Sequence, residues 1–184
     1  LGKAYLSQSG QLYLEAAIDS LGRVFDFGRV FRAEKSKTRR HLTEFWMMDA
    51  EAAFVEHEEN LKIQEELISF MVQKVLAENQ EELKILERDL KPLENVQPPF
   101  YRITHAEAVK KLNKLGSDIG EMDDLGADDE TILTKLYDKP IFVEKYPAEV
   151  KAFYMKRDPK NPKYCLNADL LAPEGYGEII GGSQ

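Results

Sequence analysis

Apolar residues recur at helical spacing in two parts of the chain, and these parts predict its main helices. The first helix runs from Leu12 to Leu21 and is ended by Gly22. The second part, residues 56–89, contains neither Pro nor Gly and carries a long apolar stripe. It predicts a long helix, or a helical hairpin broken near Asn79, that stops at Lys91-Pro92.

Runs of strand-forming residues lie before and after this helical part of the chain. The predicted strands are Ala4 to Leu6, Val24 to Phe27 with Gly28 as its turn, Val30 to Glu34, Glu44 to Ala53, Ile141 to Glu144, Phe153 to Lys156 and Tyr164 to Leu171. Two shorter helices are predicted, one from a capping box at Thr104 to Leu115 and one from Asp129 to Tyr137, with a linker opening at Pro98-Pro99. Because strands dominate both ends and helices the middle, we predict an α+β fold, an antiparallel sheet flanked by helices.

Composition narrows the class of protein. At 184 residues with 43% hydrophobic residues, the chain is one domain by length and can bury a sizeable core. The single Cys165 excludes a disulfide framework and a Cys-x-x-Cys metal knuckle, so we expect a reducing, cytoplasmic location. No apolar run reaches membrane-spanning length and no signal peptide is present, so no membrane partner is expected.

The charge of the chain is unevenly distributed. A net charge of -8 argues against a free-standing nucleic-acid binder, because neutralising phosphates requires a basic face. Cations nevertheless crowd residues 29–40, whereas acids concentrate in 56–94 and 118–130, where a solvated surface is the simplest interpretation. The acids of the loop 116–129 do not follow the EF-hand register, which excludes that type of calcium site. A local basic patch on an acidic body suits a protein that binds a small polyphosphate.

Residues 31–51 carry the most specific chemistry. They place Arg32, Glu34 and Phe45 on two extended runs joined by a polar, basic loop. Arginine offers a planar fork for phosphate oxygens, the glutamate can accept from an exocyclic amine or a ribose hydroxyl, and the phenylalanine offers a face for a base. The pattern therefore favours a nucleoside triphosphate site over a merely charged β-hairpin.

The same residues carry a family resemblance. The run FRAE from Phe31, followed at fixed offsets by Thr38, by RHL and by EF ending at Phe45, resembles the second signature motif of class II aminoacyl-tRNA synthetases of the aspartyl/asparaginyl subgroup. The resemblance implies that Arg32 holds the α-phosphate of ATP and that Arg40 and His41 contact the γ-phosphate or the pyrophosphate product. The implied ATP-binding residues are Arg32, Ala33, Glu34, Arg40, His41, Leu42, Phe45 and Glu178.

A second segment, Ser9 to Glu15, resembles the amino-acid-binding loop of this subgroup, in which Gln11 contacts the α-amino group. Aspartyl enzymes carry a Lys three residues after this Gln, whereas this chain has Leu14. A bound aspartate would then be unpaired in a desolvated pocket, so the chain resembles the asparaginyl type, with asparagine as substrate. The implied amino-acid-binding residues are Ser9, Gln11, Leu14 and Asp49, and Asp49 contacts the substrate ammonium or else balances the nearby basic loop.

A third segment, residues 167–184, is similar to the metal-binding stretch of the family. The resemblance places Asp169 and Glu178 on adjacent strands, where they hold Mg²⁺ against the ATP phosphates, and hard carboxylate oxygens suit this ion. Gly181 stands where some aspartyl relatives carry a metal-contacting Ser, which leaves a second ion without that ligand. Residues 146–156 also resemble the asparaginyl type and are expected to form a wall of the amino-acid pocket, with Tyr154 and Lys156 either packed or facing solvent. His57 and His105 have no ligand-like neighbours in the sequence and receive no role.

The resemblance implies amino-acid activation, in which the asparagine carboxylate attacks the α-phosphorus of ATP and asparaginyl-adenylate is then used to charge tRNA(Asn). Catalysis would come from positioning and charge stabilisation, with Arg32, Asp169 and Glu178 as the catalytic residues. The chain would be part of one catalytic domain, with the second motif at 29–53, a helical region at 56–137 and the magnesium and substrate strands at 141–184.

Both ends of the chain suggest truncation, since it starts without Met and stops inside a glycine-rich run. The first and third signature motifs of the family, and an Arg expected after Gln184, are not in this sequence. We therefore expect weak or no activity from this chain alone, and a homodimer for the intact enzyme.

Two alternatives stay open at this stage. One is an ammonia-dependent asparagine synthetase built on the same fold, which would activate aspartate and against which Leu14 counts. The other is a non-catalytic synthetase paralogue that serves as a nucleotide- or protein-binding module. The intact set of Arg32, Glu34, Phe45, Asp169 and Glu178 disfavours this second alternative.

Overall fold

The computed structural model describes residues 2–33 and 41–184, and the chain divides into two compact units, residues 1–55 and 56–184. The elements of the first unit are α1 (Gln11–Leu21), β1 (Arg23–Phe31) and β2 (Glu44–Ala52). Those of the second are α2 (His57–Glu78), α3 (Gln80–Ile85), α4 (Lys91–Glu94), β3 (Tyr101–Thr104), α5 (His105–Lys114), α6 (Ala127–Thr134), β4 (Ile141–Glu144), β5 (Asn167–Ala172) and β6 (Gly177–Ser183). The predicted α+β class is confirmed.

In the residues that the structure describes, the first unit is an antiparallel ribbon with the helix α1. Strands β1 and β2 pair in register from Arg23 opposite Ala52 to Phe31 opposite Glu44. Helix α1 ends where the sequence predicts, because Gly22 adopts a φ of 76° that residues with a Cβ rarely adopt. The predicted turn at Gly28 is wrong, since β1 runs straight through this residue, which pairs with Met47 inside the ladder.

The second unit is built on a four-stranded sheet in the order β3-β4-β5-β6. Neighbours from β4 to β6 are antiparallel, whereas β3 lies parallel to β4. The parallel pair is possible because the connection between them includes α5 and α6 and is long enough for a crossover.

Helices cover both faces of this sheet. On one face Val109 and Leu112 of α5 and Leu133 of α6 pack with Val143 and Leu171. On the other face Leu61 of α2 packs with Phe142 and Leu170. Neighbouring residues of β4 and β5 thus belong to opposite cores, as strand alternation requires, and every residue of β4 is buried.

Two local sequence signals are confirmed in the second unit. The long helical region breaks at Asn79, whose φ of -122° lies outside the helical region. The Thr104 hydroxyl accepts from the Glu107 amide at 3.3 Å, while the Glu107 carboxylate accepts from the Thr104 amide at 2.8 Å, which forms the predicted capping box. No helix in the described ranges has the combination of length and apolar character needed to cross a membrane.

Several predicted strands are wrong. Residues 4–6 are irregular, with Tyr5 86% and Leu6 67% exposed, so no burial holds a strand there. Residues 153–156 turn instead, because the Met155 amide donates to the Ala152 carbonyl at 3.1 Å. The strand predicted from Tyr164 to Leu171 begins instead at Asn167, as β5.

Three other boundaries differ from those predicted, and two of them lie at prolines. Lys91-Pro92 begins the short helix α4. A proline is tolerated in the first turn, because backbone amides there have no hydrogen-bond partner within the helix. Pro98-Pro99 precedes the strand β3 and does not open a linker. Helix α6 begins at Ala127, earlier than predicted, and ends at Thr134.

Candidate active site

The first unit brings together Arg32 and Phe45, as the nucleotide motif predicts. Arg32 follows β1, its backbone amide donates to the Thr43 carbonyl at 2.9 Å, and its Nε donates to the Gln8 carbonyl at 3.1 Å. The guanidinium carbon lies 5.7 Å from the centroid of the Phe45 ring. The strand ladder therefore places a fixed cation beside an aromatic ring, an arrangement that can contact both the phosphates and the base of a nucleotide.

The other nucleotide residues lie at the ends of this ribbon. Ala33, His41 and Leu42 are exposed, and 69% of Leu42 is accessible to solvent. The predicted contacts Glu34 and Arg40 lie outside the described residues. Their assignment stays a prediction.

The predicted amino-acid loop rests on two carboxylates of the ribbon. Asp49 Oδ2 accepts from the Ser9 hydroxyl at 3.1 Å and from the Gly10 amide at 2.8 Å. Asp26 lies directly opposite Asp49 in the ladder, and a Cβ at Gly10 would lie 2.0 Å from Asp26 Oδ2. Only glycine fits this close approach as the side chains stand, and the loop is thereby held against the two acids.

These acids form the start of a negative face. Glu51 lies two residues beyond Asp49 on the same face of β2, and its pKa is raised by burial and by the nearby Glu15 and Asp49 carboxylates. Carboxylates crowded in this way attract a cation, because an added positive charge relieves their repulsion. The arrangement is suited to an ammonium group.

Gln11 and Leu14 lie on helix α1. The backbone amide of Gln11 donates a hydrogen bond to Ser9 Oγ at 3.0 Å, and the side-chain Nε2 of Gln11 donates to Glu15 Oε1 at 3.1 Å. Leu14 is 8% exposed and is the buried residue of this helix. The structure thus brings Ser9, Gln11 and Asp49 together, with Leu14 on the packed side of α1.

In the second unit, Asp169 and Glu178 lie on the adjacent antiparallel strands β5 and β6. Asp169 pairs with Gly181, and a bulge between Leu170 and Leu171 shifts the register toward Glu178. A Cβ at Gly181 would lie 2.6 Å from Glu178 Oε1 and 3.6 Å from Asp169 Oδ1. Two carboxylate oxygens therefore converge over Gly181, where a side chain would come close to both.

The electrostatics of this acid pair fit a divalent cation. Burial raises the pKa of Asp169, and burial together with the Asp169 and Glu130 carboxylates raises the pKa of Glu178. Part of the Glu178 side chain remains open to solvent, so an ion can reach it. Hard oxygens whose negative charges repel each other are ligands that suit Mg²⁺.

Lys151 contacts the candidate metal site, and the sequence analysis gave it no role. Its Nζ lies 3.0 Å from Asp169 Oδ2, 3.0 Å from Asp124 Oδ1 and 3.9 Å from the centroid of the Tyr146 ring. A buried carboxylate such as Asp169 requires a counter-ion, and that rule was the available signal. The sequence gives no distance, however. Tyr154 and Lys156, which the sequence analysis left as either packed or facing solvent, are both exposed.

His57 does have ligand-like neighbours, contrary to the sequence interpretation. Its Nε2 lies 2.9 Å from Glu144 Oε2, and His57, Glu58 and Glu144 form the one group of three metal-ligating side chains within the described ranges. Arg102 already supplies the cation, because its guanidinium contacts Glu144 at 2.6 Å and Glu58 at 2.8 Å. The cluster is therefore a salt-bridge network that joins α2 to β3 and β4.

His105 is likewise structural. Its Nε2 lies 2.8 Å from the Asp123 carbonyl oxygen, and its ring packs 4.8 Å from that of Tyr146. Burial lowers the pKa of His105, which favours its neutral form.

Comparison with known proteins gives the family. The model of the tRNA synthetases class II (D, K and N) matches residues 1–184. The chain belongs to this family. The resemblance inferred from the motifs at Arg32, Gln11 and Asp169 is confirmed.

Similar proteins of this family include enzymes named for asparagine. The asparagine–tRNA ligase of Symbiobacterium thermophilum is 58% identical over 98% of this chain and 43% of its own length. The crystal structure of asparaginyl-tRNA synthetase from Pyrococcus horikoshii, complexed with asparaginyl-adenylate, is 54% identical with a TM-score of 0.95, over 98% of this chain and 42% of that one. The chain thus spans about two fifths of the length of these synthetases.

An aspartyl enzyme shares the class II fold. The aspartyl tRNA synthetase from Entamoeba histolytica matches with a TM-score of 0.85 at 34% identity, over 100% of this chain and 40% of that one. Fold alone therefore does not separate the two amino acids, and specificity must come from individual residues.

Proposed function

We propose that this chain forms the amino-acid-activating core of an asparagine–tRNA ligase. Such an enzyme joins asparagine to ATP as asparaginyl-adenylate, releases pyrophosphate and transfers the asparaginyl group to tRNA(Asn). The observation that carries the proposal is the likeness to the Pyrococcus synthetase described with asparaginyl-adenylate, at 54% identity and a TM-score of 0.95.

The nucleotide roles rest on the ribbon of the first unit. Arg32 holds the α-phosphate, where its fixed charge stabilises the negative charge that develops as the carboxylate attacks. Phe45 stacks on adenine, and Glu34 and Leu42 fix the base edge. Arg40 and His41 contact the γ-phosphate and the departing pyrophosphate.

The amino-acid roles rest on the loop held by Asp49. The carboxylates of Asp26, Asp49 and Glu51 favour the substrate ammonium, which Gln11 also contacts. The same negative face and the uncharged Leu14 disfavour a second substrate carboxylate, and this supports asparagine over aspartate. An ammonia-dependent synthetase that activates aspartate is disfavoured for the same reason.

The metal role rests on the second unit. Asp169 and Glu178 would hold Mg²⁺, and the bound ion would supply positive charge that offsets the charge of the ATP phosphates. Lys151 holds Asp169 Oδ2 at 3.0 Å, which leaves Oδ1 directed toward the space above Gly181. Gly181 keeps that space open.

The setting of the complete protein follows from the family. We infer a cytoplasmic homodimer that takes tRNA(Asn) as its second substrate. The free thiol of Cys165 is buried, in keeping with a protein of a reducing compartment.

Pyrophosphate exchange tests this function. The complete protein that contains this chain is expected to exchange pyrophosphate into ATP with asparagine and not with aspartate. The 184-residue chain is expected to be weak or inactive. Exchange that depends on aspartate would refute the proposed specificity, and exchange by the chain at the rate of a complete enzyme would refute the expected weakness.

A further inference from the structure

A surface segment of the second unit concentrates cations in an otherwise acidic chain. Residues 153–163 contain four cations and one acid, although the net charge of the chain is -8. The cations Lys156, Arg157, Lys160 and Lys163 are all exposed. The one acid, Asp158, lies 3.2 Å from Lys145 Nζ and accepts from the Lys160 amide at 2.8 Å, so its charge is already offset. The segment is distinct from the basic patch at 29–40.

The backbone of this cationic segment is fixed by its own hydrogen bonds. The Asp158 amide donates to the Tyr164 carbonyl at 2.9 Å, and the Asn161 amide donates to the Asp158 carbonyl at 3.1 Å. Pro159 and Pro162 restrict φ at two further positions. When a partner binds a loop that is already ordered, the loop loses less conformational entropy than a flexible loop would.

Two aromatic rings precede the cations. Phe153 is 98% exposed and Tyr154 is 50% exposed, and their ring centroids lie 5.5 Å apart at 76°. An aromatic ring that is exposed to water is not stabilised by packing in the core, but a nucleic-acid base can stack on it. Exposed rings beside exposed cations are the features by which proteins hold single-stranded nucleic acid, since bases stack and phosphates pair with the cations.

The segment also connects with the candidate metal site. Lys151, two residues before Phe153, contacts Asp169. At the other side, the Lys156 amide donates to the Gln184 carbonyl at 2.8 Å, and the Leu166 amide donates to the Lys156 carbonyl at 2.7 Å. The surface therefore begins beside the first residue of β5 and the last residue of β6, and it continues over residues 157–163.

We infer that residues 153–163 bind the single-stranded 3′ end of the tRNA. Phe153 and Tyr154 stack on bases, while Lys156, Lys160 and Lys163 contact phosphates. The inference rests on the proposed function, because the 3′ end must reach the adenylate for the asparaginyl group to be transferred. The inference adds to that function the surface that the RNA contacts.

Binding of a short single-stranded RNA ending in CCA, labelled with fluorescein and followed by anisotropy, tests this surface. The variant in which Lys156, Lys160 and Lys163 are all changed to Gln is expected to bind about tenfold or more weakly at low salt. Its slope of log K against log salt should be smaller in magnitude by about 2, because each contact of a single strand contributes about 0.7. A matched control changes the exposed Lys62, Lys110 and Lys114 to Gln and should retain the affinity and the slope of the unsubstituted chain.

A second variant separates stacking from charge. Phe153→Ala is expected to weaken RNA binding about tenfold with an unchanged salt slope, and Phe153→Trp is expected to restore it. Equal RNA binding by the lysine variant and its control, or no RNA binding by the chain itself, would overturn the inference. These measurements need neither ATP nor asparagine, so a failure of the proposed amino-acid specificity would appear in pyrophosphate exchange and not here.

Discussion

Arg32 is the residue on which the nucleotide side of the account depends. Its Nε is anchored on the Gln8 carbonyl and its guanidinium lies over Phe45. We expect Arg32→Ala to weaken the binding of Mg·ATP at least tenfold, because a charge-assisted contact with phosphate contributes about 1.5–3 kcal/mol. Isothermal titration calorimetry checks this value.

The matched control for Arg32 lies three residues earlier in the chain. Arg29 is exposed on β1, with its guanidinium carbon 5.8 Å from the centroid of the Trp46 ring, and its loss should leave ATP affinity within about twofold. If both variants bound ATP like the unsubstituted chain, Arg32 would lose its assigned role.

Lys151 is expected to stabilise the second unit by pairing with Asp169. The side chains are 13% and 12% exposed, so removal of the ammonium leaves a buried carboxylate without its cation. Lys151→Met should lower the free energy of unfolding by about 3 kcal/mol, and added Mg²⁺ should raise the melting temperature of this variant more than that of the unsubstituted chain. Thermal unfolding with and without Mg²⁺ provides both values.

The exposed Lys114→Met serves as the control for Lys151. It should change neither the stability nor the response to Mg²⁺. A response to Mg²⁺ that is the same in all three proteins would show that Lys151 does not act at the metal site.

The residues of the candidate site could be predicted from the sequence where a motif fixes their spacing, and not otherwise. Arg32 and Phe45 belong to one motif, and their proximity in the ribbon is confirmed. Lys151 and Asp26 were missed, because their contacts with Asp169 and Gly10 join segments that no sequence pattern places together.

At the scale of elements, local signals succeeded and pairing signals failed. The capping box at Thr104 and the break at Asn79 depend on a few neighbouring residues, and both are confirmed. The continuation of β1 through Gly28 and the strand β3 depend on a partner strand, so their own composition could not predict them.

The salt-bridge network between α2, β3 and β4 should make stability depend on acid. Burial alone would raise the pKa of Glu144, but hydrogen bonds from Arg102 and His57 lower it to about 2, from an ordinary value of 4.5. The unfolded chain therefore binds more protons than the folded one between these values. Stability from Glu144 is fully present above about pH 4.5 and is lost as the pH falls toward 2, by about 3 kcal/mol in total.

Chemical denaturation at a series of pH values checks this dependence. The Glu144→Gln variant should lose stability less steeply with acid than the unsubstituted chain over this range, whereas the exposed Glu81→Gln should retain its slope. Glu58 also pairs with Arg102 and keeps its own lowered pKa, so a smaller acid dependence remains in the variant. Identical acid profiles for the Glu144 and Glu81 variants would contradict the account.

At the scale of the whole molecule, the α+β class and the family followed from the order of elements and from three motifs. Assembly of the sheet did not, because the parallel pairing of β3 with β4 joins strands that are separated in the chain by α5 and α6. The sequence also predicted a single basic patch, whereas the structure displays a second set of exposed cations at 153–163. Exposure is a property of the folded chain, so composition alone could not find that surface.

We propose that this chain binds ATP and that bound asparagine strengthens the binding of ATP. The decisive measurement is calorimetric titration of the chain with ATP and Mg²⁺, repeated with asparagine and with aspartate. We expect asparagine to strengthen ATP binding and aspartate not to, with Leu14 and the acids around Asp49 as the physical cause. Absence of ATP binding, or strengthening by aspartate, would contradict it.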